Sequence, residues 1–332
     1  MIIGIGRAGL LYSVISPVDT QLLIYGDAKE VQMYDHLSVW LNGKMIPWPE
    51  AKVPLLSHGF SRGSAIFEIF DTHEGPTGTV AFRMDKHLNR LMRSAELLGM
   101  QTGYSTRQIA EAVVETVKAN NIGRGLIKIM AYWGEEAVIQ LVLDSKLDVA
   151  VFAIPSSEEL GLDNARPVSA CISKWRKLHP ETVPVEAKAC ANYLNGYLAR
   201  RDANLRGFNV GLLVGTDGFL AEGSVESVFL VKDGVLKTPS LGRILSGITR
   251  LSILQAAPAI GIRTSEEPVL PEDLFTADEI FVCNTGVKIL PVARFEDRTL
   301  EAPGPITRQL MELMKSILNF SDDRFKDWFS PM

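Results

Sequence analysis

Residues 185–197 read VEAKACANYLNGY, and the residue that stands out is Lys188. Its neighbours are Ala187, Ala189, Cys190 and Ala191, in a stretch with almost no other charge. A surface lysine normally keeps polar neighbours and a hydrated ammonium, whereas small apolar neighbours imply packing. A long cationic side chain in such a place either snorkels to water or has its pKa lowered by desolvation. In the first case Lys188 is a structural residue at the start of a helix. In the second it is a neutral amine, the form that attacks a carbonyl carbon. The stretch by itself admits both readings, so the rest of the chain has to separate them.

The chain has 332 residues, 46% hydrophobic and 22% charged, which is an ordinary globular composition long enough for two domains. A net charge of −5 argues against a nucleic-acid surface, which is normally basic. No apolar run reaches the roughly 18 residues of a spanning helix, so no membrane partner is expected. Cys171, Cys190 and Cys283 are odd in number and widely spaced, which fits neither a disulfide framework nor a metal site and points to a reducing cytoplasm. The five histidines are scattered, and no metal centre is expected.

The opening MIIGIGRAGLL places Gly4, Gly6 and Gly9 in a literal G-x-G-x-x-G. A dinucleotide fingerprint needs a strand before the glycines and a helix after them. Three residues precede Gly4, and the following LLYSVISPVDTQLLIYGD is β-branched and broken by Pro17. The stretch also lacks the basic n-region and cleavage site of an export signal. Residues 1–37 therefore read as an N-terminal extension that adds a strand or packs on a partner subunit.

From Ser38 the pattern changes. SVWLNGKMIPW reads as a hairpin about Asn42-Gly43, GFSRGSAIFEIFDT and TVAFRM as strands, and DKHLNRLMRSAELLGM as an amphipathic helix. TRQIAEAVVETVKANNI is a second helix, and LIKIMAYW and LDVAVFAIP are strands. Residues 38–155 thus form a small α+β domain, and the polar residues 156–166 a connection. Residues 167–332 form a larger domain. It holds PVSACISKW, NVGLLVGTDGFLAEG and SVFLVKDGVLKTP as strands with Asp-Gly turns, then SGITRLSILQAAPAIG and PITRQLMELMKSILNF as helices. Ser246 is the expected N-cap of the first of these helices, and the free N–H groups behind it make an anion site.

FRMDKHLNRL, EAKACANYL, FLAEGSVESVF, LSGITR and FVCNTGVKILPV occur in this order. Together they resemble the recurring blocks of the class IV, or fold-type IV, pyridoxal-phosphate aminotransferases, a family with branched-chain and D-amino-acid aminotransferases and aminodeoxychorismate lyase. The resemblance runs from about Val39 to the last 20 residues. It implies a two-domain α/β fold-type IV enzyme with a small α+β domain and a larger pseudo-barrel domain. It also implies pyridoxal 5'-phosphate as cofactor and a homodimer with its site at the domain and subunit interface. Lys188 corresponds to the lysine that holds the cofactor aldehyde and moves the substrate proton. Tyr193, one helical turn on, corresponds to the phenol at the ring oxygen, and Glu222, 34 residues after the lysine, to the acid at the pyridine nitrogen. Gly247, Ile248 and Thr249 match the phosphate loop, Thr285 a second phosphate contact, and Arg90 the arginine reaching the same phosphate.

The substrate side departs from the branched-chain pattern. Arg62 stands where those enzymes have tyrosine, Ile69 replaces glycine, and Leu126-Ile127-Lys128 replaces Tyr-x-Arg. SSEEL (residues 156–160) replaces an aromatic stretch, and Ser227 an asparagine. Lys128 and Asn284 resemble residues of the lyase. Arg62 is either a cation for a substrate carboxylate or a structural salt-bridge partner. Arg62, Phe67, Lys128, Asn284 and Gly286 are the candidate substrate residues. The activity implied is transfer of the amino group of a small, branched-chain-like amino acid to a 2-oxo acid such as 2-oxoglutarate. The alternatives are the lyase, a D-amino-acid or amine transaminase, and a catalytically idle cofactor-binding homologue.

Overall fold

In the computed structural model, residues 34–141, 145–156 and 161–332 are described. The N-terminal glycine motif and most of the 1–37 extension lie outside the described residues, as does most of SSEEL.

The first sheet begins with the expected hairpin, β1 (Ser38–Leu41) and β2 (Lys44–Pro47). Its turn residues Asn42 and Gly43 both have positive φ, 49° and 87°, as a tight hairpin turn requires. Next, GFSR proves to be helix rather than strand. Ser57 caps the short α1 (His58–Arg62), and Gly63 ends it in the left-handed region at φ 71°. The chain then runs through β3 (Ala65–Gly75), β4 (Gly78–Phe82), α2 (Met84–Leu97), β5 (Gln101–Thr102) and α3 (Thr106–Ala119), whose N-terminus carries a capping box from Ser105 and Gln108. β6 (Gly125–Tyr132) and β7 (Lys146–Pro155) complete the sequence-local part of this sheet.

β8 (Val168–Arg176), α4 (Tyr193–Leu205), β9 (Val210–Val214), β10 (Ser227–Lys232) and β11 (Val235–Pro239) open the second half. They are followed by α5 (Ile248–Ala256), β12 (Arg263–Glu267), α6 (Asp273–Thr276), β13 (Glu279–Asn284), β14 (Lys288–Phe295), β15 (Arg298–Thr299), α7 (Pro305–Leu318) and β16 (Phe329–Pro331). Among the described residues the strands form two eight-stranded sheets. One has the order β16-β4-β3-β6-β7-β1-β2 with β5 beside β7, and the other β12-β11-β10-β13-β14-β8-β9 with β15 beside β14. The expected two-part α/β architecture is what the chain adopts. The arm FLAEG after the Asp217-Gly218 turn is not a regular strand, and a bridge between Val214 and Leu220 together with backbone hydrogen bonds from Leu213 N to the Glu222 carbonyl at 2.8 Å and from Ala221 N to the Leu213 carbonyl at 2.9 Å joins it to β9.

Alternation sorts the side chains into cores. β3 turns Ile66 and Phe70 inward, where they meet Leu88 and Leu91 of α2 and Ile109 and Val113 of α3. β10 sends Val228 and Leu230 into one cluster with Val282 and Leu290. Its alternate residues Phe229 and Val231 enter another, with Ile253 of α5 and Leu310 and Met314 of α7. Phe82, from the first sheet, joins that last cluster. β16 closes the seam by pairing Phe329 with Phe82, so the end of the chain returns to the first sheet. Arg83 turns at φ 54°, stacks 4.3 Å from the Trp328 ring and donates to Gln255 Oε1 of α5 at 2.8 Å.

α4 lies close against the loop that follows β9. A Cβ on Gly196 would collide with the Ser224 carbonyl oxygen, a backbone group that cannot swing away. Gly→Ala within a helix ordinarily stabilises by about 1 kcal/mol. Here Gly196→Ala should instead destabilise by about 1–3 kcal/mol, as overpacking does. Urea unfolding of the purified variant measures the sign.

Candidate active site

The lysine of the opening stretch is held by the opposite half of the molecule. Its carbonyl accepts the Phe67 N–H of β3 at 3.0 Å, and Ile66 bridges to Ala189. Its own N–H donates to Ser94 Oγ of α2 at 2.9 Å. Lys188 is therefore not on a helix, as the sequence spacing suggested. It precedes a turn of 3₁₀ helix at Cys190–Asn192, and α4 starts only at Tyr193. The geometry still brings the two side chains together, with Lys188 Nζ 2.5 Å from Tyr193 Oη. The Phe67 ring packs 4.8 Å from that of Tyr193, and Nζ lies 4.6 Å from the Phe67 ring centre.

Lys188 is 8% exposed, so the snorkelling reading is excluded. Burial first, and then the nearby Arg90 guanidinium, depress its ammonium from 10.5 to about 7. Near neutral pH a large share of Lys188 is thus free amine. The Tyr193 phenol is raised above its ordinary range by burial and by the Glu222 and Glu68 carboxylates, against the pull of Arg90, and stays protonated.

Arg90 is buried, not a solvated helix residue. Its Nε and Nη2 donate to the two oxygens of Glu68, each at 2.7 Å, and Nη1 donates to the Ser246 carbonyl at 2.7 Å. His87 Nδ1 approaches the same carboxylate at 2.7 Å. Glu68 is fully buried. Burial alone would raise its carboxyl, but Arg90 and His87 outweigh that and hold it at about 2. Sequence reasoning missed Glu68, although a signal was present. It stands at the inward position between Ile66 and Phe70 of an alternating strand, where a charge requires a partner. His87, Arg90 and Ser94 recur at the spacing of one face of α2, and all three are buried.

Glu222 accepts the Lys177 ammonium on Oε1 at 2.5 Å and the Leu245 N–H on Oε2 at 3.1 Å. Lys177 carried no recognisable signal, because it follows a strand and belongs to none of the five blocks. The expected N-cap also changes. Gly247, not Ser246, caps α5, and it makes no side-chain cap. A Cβ there would collide with Ser227 Oγ. The first N–H groups of α5 lack intrahelical acceptors and carry the positive end of the helix dipole.

One cavity is lined by Arg90, Lys188, Tyr193, Glu222, Gly247, Ile248, Thr249, Asn284 and Thr285, together with Lys177. Thr285 Oγ1 donates to the Ile69 carbonyl at 3.4 Å, and Asn284 Oδ1 accepts the Val287 N–H at 3.2 Å. The other candidates stand apart. Arg62 is exposed and donates to the Val138 carbonyl at 3.1 Å. Lys128 sits on β6 with its ammonium 5.6 Å from the Phe67 ring. Gly286 faces a separate polar cavity with Asp71, His73 and Lys288, and its carbonyl accepts the Gly161 N–H. An apolar cavity opens behind the site, lined by Phe60, Gly63, Tyr132, Cys190 and Ala191 among others.

The donor set suits a flat ring bearing an aldehyde, a phosphate and a basic nitrogen. An amine and a phenol stand together, a carboxylate stands apart from them, and a guanidinium meets a helix N-terminus. Two consequences can be measured. Breaking the buried pair by Glu68→Gln strands Arg90 and should cost roughly 3–5 kcal/mol in chemical denaturation. For the cofactor-free protein, Lys188 binds fewer protons folded than unfolded between pH 7 and 10.5, so stability rises with pH across that window. Lys188→Met should therefore be more stable than the parent at pH 7, with the gain shrinking towards pH 10, as thermal melts at the two values would record.

Known proteins share the fold and much of the sequence. Residues 65–295 match the family model described as amino-transferase class IV. A branched-chain-amino-acid aminotransferase of Escherichia coli is 32% identical over 282 residues, 82% of this chain and 90% of that protein. The crystal structure of a branched-chain aminotransferase from Thermoproteus uzoniensis with norvaline superposes with a TM-score of 0.84 at 34% identity, covering 89% of this chain and 99% of that one. A branched-chain amino acid aminotransferase from Thermobaculum terrenum in its PLP-form gives 0.84 at 30%, covering 90% and 99%. With its fold and its matched span in agreement, the chain belongs to the class IV aminotransferases.

Proposed function

We propose that this transaminase uses pyridoxal 5'-phosphate to move the amino group of a small, branched-chain-like amino acid to a 2-oxo acid such as 2-oxoglutarate. The observation that carries the reading is the Lys188 amine, buried, depressed to about 7 and hydrogen-bonded to the Tyr193 phenol in the wall of a cavity that the start of α5 also lines. The cofactor, when bound, supplies an electron sink for the carbon that loses its proton. Lys188 holds the cofactor and carries the proton, since its amine switches between charged and neutral forms near neutral pH. Tyr193 donates its hydroxyl to the ring oxygen. Glu222 grips the ring nitrogen through an acceptor site left free by Lys177 and Leu245. Arg90, Thr285 and the N–H groups from Gly247 to Thr249 hold the phosphate. Phe67 packs beside the lysine, and Asn284 in the cavity wall and Lys128 over the Phe67 ring are the substrate-side residues, while Arg62 and Gly286 stand outside this cavity.

Residues 38–155 and 167–332 act as the two domains, with the site on their seam. The active form is a homodimer. Leu55, Phe60, Val138, Ile139 and Leu141 are exposed, Phe60 at the rim of the apolar cavity, and a second copy would cover them. The three cysteines are free, in keeping with a cytoplasmic setting, and among the described residues no helix is long and apolar enough to cross a membrane.

Reconstituted protein should be yellow, and a donor panel of leucine, valine, D-alanine, phenylalanine and a primary amine should bleach the colour with the preferred donor. Lys188→Ala should lose both the colour and turnover. A panel in which nothing changes the spectrum would remove the transaminase reading. Pyruvate released without any keto-acid acceptor would replace it with a lyase.

A further inference from the structure

We infer that Lys177 is a positioning residue that holds Glu222 and, through its own charge, favours the proton shared with the cofactor lying on the ring nitrogen. This rests on the cofactor reading above.

The ammonium is built into place. β8 pairs with β9 in parallel from Ala170↔Val210 to Ile172↔Leu212, but the next partners are Arg176 and Val214. Two extra residues therefore bulge out of β8 just before Lys177. A bulge of this kind re-aims the side chains that follow it. Its N–H groups are satisfied locally, Lys174 N by Asp202 Oδ2 at 3.0 Å and Trp175 N by Ser173 Oγ at 3.1 Å. Lys177 is then clamped on three sides. Its N–H donates to the Val214 carbonyl at 2.9 Å, the Arg176 carbonyl accepts Asn195 Nδ2 at 2.9 Å, and Leu178 N–H donates to Asn195 Oδ1 at 3.2 Å. Asn195 and Asp202 are both on α4, two turns apart, on the helix that begins with Tyr193. The helix that carries the phenol thus also fixes the loop that carries the ammonium. Lys177 is 7% exposed, and Glu222 is its one ion-pair partner among the described residues.

The electrostatic consequence has a definite sign. A proton between Glu222 and a pyridine nitrogen can sit on either partner. On nitrogen it leaves a carboxylate in direct contact with the ammonium and a ring cation on the carboxylate's other side. On oxygen both partners are neutral. The attraction acts at contact and the repulsion over a longer distance, so Lys177 favours the protonated ring. A protonated ring is the better electron sink.

The test is nitrogen-15 NMR of holoenzyme reconstituted with ring-labelled pyridoxal phosphate. The parent and Lys177→Arg should both give a pyridinium signal. Lys177→Met and Lys177→Gln should move it towards neutral pyridine. Their kcat should fall roughly tenfold to a hundredfold, the usual effect of losing an outer partner of a reactive group, with the donor KM little changed. A pyridinium signal in Lys177→Met would overturn the inference. Should neither neutral variant fold, Asn195→Ala keeps both charges but frees the loop. It must shift the signal in the same direction, and an unshifted signal overturns the inference equally. A parent protein that binds no cofactor would overturn the functional proposal and this inference together.

Discussion

The site hangs on one short backbone contact, the pairing of Ile66 and Phe67 with Lys188 and Ala189. Through it the first sheet determines where the reactive amine of the second half stands. Hydrogen bonds between backbones tolerate little displacement, so Lys188 Nζ is placed as accurately as the two sheets are placed on each other. The seam is secured at its far side by β16 on β4 and by Arg83 between Trp328 and Gln255. Packing remote from the cavity therefore controls geometry inside it.

A second constraint is electrostatic. Charges removed from water are costly unless they are paired and hydrogen-bonded. Arg90 reaches the cavity already matched by Glu68, and Glu222 already matched by Lys177. Lys288 is likewise held between Asp71 and the Thr285 carbonyl. Lys188 is the exception. Its polar partner is the neutral Tyr193 hydroxyl, and its environment favours the uncharged amine. Around the cavity the pairing limits the repulsion, because Arg90 and Lys177 act on the amine together with the carboxylates they hold. It also separates the tasks of the residues, since fixed charges hold groups in place while the Lys188 amine is free to change protonation.

The limits of sequence reasoning show at particular residues. The hairpin at Asn42-Gly43 was legible because the turn chemistry and the alternation on each side agree. The helices α2, α3 and α7 were legible from apolar spacing. GFSR was read as strand because its aromatic residue obscured a one-turn helix capped by Ser57 and ended by Gly63. Glu68 was legible in principle, as a charge on the inward face of β3. Lys177 was not, because its place depends on a bulge and on an amide side chain 18 residues later.

What the sequence determined by itself was the set of chemical groups: an amine among small residues, a phenol, an acid and a helix start able to hold an anion. Those follow from residue type and local spacing, which act over a few positions of the chain. Tertiary structure alone decided which of them share a cavity. It united Arg90 with the start of α5 across more than 150 residues, gave Glu222 its cation, and left Arg62 at the Val138 carbonyl. The physical reason is that ionisation and reach depend on burial and on neighbours brought in by other elements. Both quantities come into being only when the two sheets close on each other.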